Sequence, residues 1–247
     1  MAQIFKDGFE SNDFSAWDAD GASVATKSTT GVDPLTGTYS AEFDVDKTDG
    51  DSSFYANVHD DFTAPASDKL YLKAQVNFSD MTSAGYEIKG SKAIMMLLNG
   101  GTKVAWLIIG NNGGNPELQL AYRKVDGTTG VVGSKITLTS GVTYRVKLKY
   151  DWSGADPVVA WYLNEVEQAS ETDTSEGAVS EPQDAEFGII HNVNWEKGNY
   201  TFKLDECGVY DDDPDAGATP KEVTDSGSGA DAVSVKAQVG IAESGQG

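Results

Sequence analysis

Short apolar runs that alternate with polar residues recur along this chain between clusters of Gly, Asn, Asp and Pro, and helix-period patterns are almost absent. That spacing restricts the chain to an all-β sandwich or barrel. Leu70, Leu72, Ala74, Val76 and Phe78 share one face of a strand, as do Leu118, Leu120 and Tyr122, and Tyr144, Val146, Leu148 and Tyr150. Residues 93–98 and 103–109 are apolar on both faces and belong at the centre of a sheet. The Asn99-Gly100 pair between them tolerates the positive φ of a tight hairpin. Residues 158–163, 186–190 and 200–210 supply further strands.

The formal charge of −21, from 39 Asp and Glu against 18 Lys and Arg, repels phosphate backbones and anionic lipid. Nucleic acid and membrane surfaces are therefore not expected partners. The longest apolar runs are far too short to cross a bilayer. Residues 1–6 lack a charged region followed by an apolar stretch, so no signal peptide is expected. The single cysteine, Cys207, excludes an internal disulfide, leaves the redox compartment open and reads as a free, buried thiol.

Three segments are expected: a sandwich over 1–211, an acidic and Gly-Ser linker over 212–229, and a strand tail over 230–247. In the tail, Val233, Val235, Ala237, Val239 and Ile241 alternate with polar or small residues. A lone strand is unstable in water, so it needs an edge on its own sandwich or on a neighbouring chain.

Sugar recognition needs a flat aromatic face with amides or carboxylates beside it. Trp195 with Asn192, Asn194 and Asn199 offers that in one loop, with His191 and Tyr200 at its ends. Tyr86, Trp106, Tyr122 and Trp161 could floor a groove, although strand aromatics such as Tyr122 and Trp161 are mainly core. Arg145, Lys147 and Lys149 form a basic stripe, with Arg123 and Lys203 as further cations; it could receive an acidic polysaccharide, or be plain solvated charge. The acidic stretch 44–51 fails as a calcium loop, because its Gly falls one place late and Tyr55 stands where the bidentate Glu belongs. A polysaccharide lyase needs a base and a group to neutralise the uronate, for which His59, His191, Asn192, Tyr200 and Arg145 are the available cast. With two histidines in all, a satisfied or surface histidine is the plainer reading of each.

The opening Phe5-Lys-Asp-Gly-Phe-Glu-Ser-Asn-Asp-Phe-Ser-Ala-Trp17 and the closing Tyr200-Thr-Phe-Lys-Leu-Asp-Glu-Cys-Gly-Val-Tyr210 resemble the first and last strands of concanavalin A-like and carbohydrate-binding jelly-roll modules. Residues 158–163 followed by Asn164-Glu165 resemble the strand and turn of laminin G-like modules, with Glu165 in place of the usual Gly. The Asp225-Ser-Gly-Ser-Gly-Ala-Asp-Ala-Val233 segment is similar to tails of bacteriophage structural proteins that carry laminin G-like domains. These resemblances imply a two-sheet antiparallel jelly-roll sandwich. They also imply a structural calcium between opening segment and final strand, with Asp7 or Glu10 facing Asp205. The Glu-x-Asp-x-x-Glu run of jelly-roll glucanases is missing, and so are the Arg-Thr-Glu-Leu-Arg and Gln-Ile-His strands of the lyases; Ile190-His191 is the nearest approach. The resulting expectation is a non-catalytic structural or adhesion protein on a virion surface or outside the cell. It would contact glycan through the Trp195 loop and dock to a neighbouring virion protein through its tail. The alternative is a lyase or glycoside hydrolase acting on acidic polysaccharide.

Overall fold

Alternation along each strand decides which side chains meet between the sheets, and strand register then lines up those facing outward. A computed structural model of the chain describes residues 3–23, 25–47, 55–80, 93–175, 177, 179–190 and 198–216. Its strands are β1 (Gln3–Asp7), β2 (Ala19–Ser23), β3 (Thr26–Thr30), β4 (Ser40–Lys47), β5 (Tyr55–Asp61), β6 (Lys69–Asp80), β7 (Ala93–Asn99) and β8 (Thr102–Asn112). They continue with β9 (Asn115–Arg123), β10 (Thr129–Thr137), β11 (Thr143–Asp151), β12 (Val158–Leu163), β13 (Val166–Thr172), β14 (Asp184–Ile190) and β15 (Gly198–Tyr210). Among the described residues there is no helix.

All pairings are antiparallel and form two sheets. Sheet A runs β13-β12-β11-β6-β15-β4-β3, with β1 bonded to the C-terminal half of β15; sheet B runs β10-β9-β8-β7-β14-β5-β2. The fold is thus the expected all-β jelly-roll sandwich. The two doubly apolar strands, β7 and β8, are interior strands of sheet B. Leu72, Val76 and Leu148 from sheet A meet Leu107, Leu120 and Phe187 from sheet B in one fully buried core. Each such side chain contributes about 1.5–3 kcal/mol of burial. Tyr122 and Trp161 are core, and Cys207 is free and buried.

Three details depart from the sequence pattern or sharpen it. Asn164 and Glu165 both adopt positive φ (50° and 67°), so the turn keeps the geometry of an Asn-Gly hairpin although Glu stands second. The Arg145 guanidinium, 2.9 Å from Glu165 Oε1, holds that side chain in place. Gly188 has φ of 118°, and a Cβ there would lie 2.5 Å from the Ala56 carbonyl oxygen, so β14 and β5 approach closely only because this residue is glycine. The acidic segment expected to begin a linker does not leave the domain at once: over 211–216 it folds back onto sheet A. The strand tail expected over 230–247 lies outside the described residues.

Candidate functional site

Each sheet has an outward face, and the two differ in what covers them. On sheet A, Lys73 of β6 and Lys147 of β11 stand directly opposite each other in register. Like charges so placed repel unless an anion lies on them. The chain supplies its own: Asp213 Oδ1 is 2.5 Å and Asp215 Oδ2 3.2 Å from Lys147 Nζ, Asp215 also pairs Lys73, and Asp212 lies 3.4 Å from Lys69. The Tyr162 ring centroid, 4.5 Å from Lys147 Nζ, encloses that ammonium further. Arg145 pairs with Glu165 and Lys149 with Asp151 at 2.9 Å, so the basic stripe read from sequence is neutralised by the protein itself.

Sheet B presents one continuous row across all seven of its strands. Ala19, His59, Glu186, Met96, Trp106, Ala121 and Val131 are successive register partners from β2 to β10. One end of this row is titratable and the other apolar. Met96, Leu98, Trp106, Ala121 and Ile190 form a second apolar cluster separate from the core, against which Ile108 packs. Lys103 Nζ sits 5.6 Å from the Trp106 ring centroid.

At the titratable end, His59 Nε2 lies 2.7 Å from Asp61 Oδ1, and His59 Nδ1 lies 3.6 Å from Glu186 Oε1. Burial disfavours the imidazolium, but Asp61, then Glu186 and Asp184, outweigh it and raise the His59 pKa. Burial raises Glu186, opposed by His59, by an Asn57 hydrogen bond and by Lys103. Burial lowers Lys103, opposed by Glu186. Asp184, raised by burial first, shares a hydrogen with Asp61, whose own pKa is lowered chiefly by its bond to His59. The consequence is an oriented couple: Asp61 keeps the proton on Nε2, which leaves Nδ1 as the basic nitrogen facing a carboxyl of raised pKa. Ligand atoms of His59, Asp61 and Asp184 also lie within 4.8 Å of one another, near enough to share an ion, yet their mutual hydrogen bonds already satisfy them.

The residues proposed from sequence are distributed as follows. His191, Asn192, Asn194 and Trp195 lie outside the described residues; they follow Ile190, the last residue of β14 in sheet B. Asn199 and Tyr200 lie on β15 of sheet A, opposite Asp46 and Val45. Arg145 is on sheet A as well, so the lyase cast is divided, with His59 alone among its described members on the sheet B face. Of the proposed calcium ligands, Asp7 accepts bonds from the Phe9 amide and the Trp17 indole, both at 2.7 Å. Asp205, fully buried, accepts from the Thr36 amide and hydroxyl, the Ser40 hydroxyl and the Glu206 amide. Glu10 accepts from the Thr38 amide. Protein donors thus meet all three carboxylates, and Asp205 and Glu10 grip one loop, 36–40. Glu186, Asp61 and Lys103 escaped the sequence reading because their meeting depends on register between β5, β14 and β8; the alternation that placed them outward was the only local signal.

No protein-family model and no curated protein sequence matches the chain. Solved structures do. An endo-β-1,4-glucuronan lyase from the fungus Trichoderma reesei superposes with a TM-score of 0.62 at 15% identity, covering 84% of this chain and 95% of that one. A cellulose-induced protein, Cip1, superposes with a TM-score of 0.57 at 15% identity, covering 84% and 97%. The chain is therefore a jelly-roll sandwich of the concanavalin A-like kind. The same similarity overturns the expectation of a non-catalytic, virion-borne structural or adhesion module. A solved structure that shares this fold over nearly its whole length is a polysaccharide-cleaving enzyme, which favours the enzyme alternative.

Proposed function

We propose that the protein is a polysaccharide lyase acting on a uronate-containing polymer through the outward face of sheet B. The observation that carries this reading is the His59–Asp61–Glu186 constellation at the titratable end of that face, on a fold similar to a glucuronan lyase. Among the described residues sheet A offers no comparable constellation, because Asp213 and Asp215 occupy Lys147 and Lys73.

The chemistry follows from the proton positions. Lys103, with Glu186 partly balancing its charge, receives the uronate carboxylate and makes the proton on the adjacent ring carbon more acidic. Neutral His59 removes that proton with Nδ1. The electron pair forms the ring double bond as the glycosidic carbon–oxygen bond breaks, and the imidazolium formed on His59, steadied by Glu186 beside Nδ1, gives its proton to the departing oxygen. One fragment ends in an unsaturated uronate and the other in a new reducing end, so atoms and charge balance without an oxidant or reductant.

The test is incubation with polyglucuronate, polymannuronate, polyguluronate and polygalacturonate while following absorbance at short ultraviolet wavelengths. Absorbance should rise on at least one polymer and be lost in His59→Ala. No rise on any, or a rise that His59→Ala leaves intact, removes the reading.

A further inference from the structure

The far end of the sheet B face is shaped by an irregularity in its edge strand. In β10, Val132 pairs with Leu120 and Ile136 with Leu118, so Gly133, Ser134 and Lys135 stand opposite the single residue Gln119. Such a bulge aims its side chains out of the regular pleat. Gly133 makes it possible: its φ is 67°, and a Cβ there would lie 2.5 Å from Ala169 Cβ on β13. Gln119 Nε2 donates to the Gly133 carbonyl at 2.8 Å and fixes the bulge from the outward face.

The bulge opens a depression of about 150 Å³ lined by Ile108, Gly110, Glu117, Gln119, Val131 and Lys135. Its floor is apolar and its rim polar, the mixture a pyranose ring presents. Val131 is 52% exposed, unusual for a large aliphatic residue on a strand. Lys135 is 45% exposed and held only loosely, 3.7 Å from Glu117. Ile108 and Gln119 are register partners one pleat away from the row that contains His59 and Glu186. Five strand spacings at about 4.8 Å each put β10 roughly 24 Å from β5. Several sugar residues of an extended polymer fit in that span.

We propose that this depression is a remote subsite for a uronate residue of the same polymer, with Lys135 receiving its carboxylate and Ile108 and Val131 its ring. The inference rests on the lyase reading and adds to it that binding extends several sugars from the cleaved bond. A polymer chain long enough to reach β10 gains from Lys135; a trimer bound at His59 does not. Glu117, 15% exposed beside Lys135, accepts a sugar hydroxyl.

The experiment compares wild type, Lys135→Gln and Lys135→Glu on the uronate polymer that is cleaved and on its trimer. KM for the polymer should rise about two- to fivefold in Lys135→Gln, the range an exposed charge contact gives. It should rise further in Lys135→Glu, with kcat unchanged and with trimer cleavage unaffected. Equal effects on polymer and trimer, or none on either, overturn the subsite. Retention of the same variants in gels cast with each of the four polymers separates the two readings. Weaker retention of Lys135→Gln in a protein that cleaves nothing keeps the subsite and discards the lyase; cleavage with unaltered KM and retention does the reverse.

Discussion

Lys147 Nζ lies 2.5 Å from Asp213 Oδ1, so a residue only three positions past the last strand closes the outward face of sheet A. The lysine is 4% exposed, and its register neighbour across β6 is another lysine, Lys73. Asp215 bridges the two cations. Residues 211–216 therefore act as a strap whose carboxylates make an otherwise repulsive pair tenable.

Asp213→Asn with Asp215→Asn should destabilise the fold by about 2–4 kcal/mol, near the range for stripping a partner from a buried ion pair. Asp212→Asn, whose carboxylate is solvated and whose partner Lys69 is half-exposed, should leave stability close to that of wild type. Thermal unfolding of the two variants beside wild type decides. A double variant as stable as the wild type would mean that water serves Lys73 and Lys147 as well as the strap does.

Asp60 faces inward between His59 and Asp61, and burial, joined by the charge of Asp18, pushes its pKa up to about 6. An unfolded Asp ionises near 3.9, so between about pH 4 and 6 the unfolded chain releases a proton that the folded one retains. Stability from this group is present at pH 4 and is lost as pH rises through 6, by at most about 3 kcal/mol at 1.36 kcal/mol per unit. Other carboxylates, such as Asp61 and Asp215, shift the opposite way and mask the slope in the wild type. The difference between wild type and Asp60→Asn isolates it: the variant should gain stability relative to wild type on going from pH 4 to pH 7. A difference independent of pH would show that Asp60 ionises normally.

Fold and site were not equally legible from sequence. Strands such as β6 and β11 could be read because one face is apolar at every second position, and β7 and β8 because both faces are. β2, β3 and β13 carry Thr, Ser, Glu and Gly without that contrast, since they lie at or next to sheet edges and pack on few partners. The site depends on pairs such as His59 with Glu186, 127 positions apart in sequence, brought together by register alone. The basic stripe was visible, but not its neutralisation, because Asp213 looked like the start of a linker.

Asp205→Asn should cost about 1–3 kcal/mol, because the amide nitrogen would face donors that now point at a carboxylate oxygen. Burial raises the Asp205 pKa despite the bonds from Thr36, Ser40 and Glu206, so, as with Asp60, wild type gains on the variant as the pH falls and the loss should be larger in acid than at neutral pH. The structural calcium implied by the jelly-roll resemblance would add a second signature. With an ion on Glu10 and Asp205, chelator lowers the melting temperature of wild type and leaves Asp205→Asn unmoved. Identical melts with calcium and with chelator assign loop 36–40 to hydrogen bonding alone.

If His59 is the base, activity requires its neutral form, and Asp61, Glu186 and Asp184 together hold the imidazole pKa above its ordinary value of about 6.5. The kcat/KM of cleavage should then climb with pH through the neutral range and level off on the alkaline side. Replacing Asp61 by Asn removes the carboxylate that most favours the imidazolium, so the rising limb should move to lower pH. The same substitution frees the imidazole to change tautomer, so the plateau should also fall, by about tenfold or more. A profile whose rising limb stays fixed in Asp61→Asn while the plateau drops would assign the limb to another group and leave Asp61 a positioning role only.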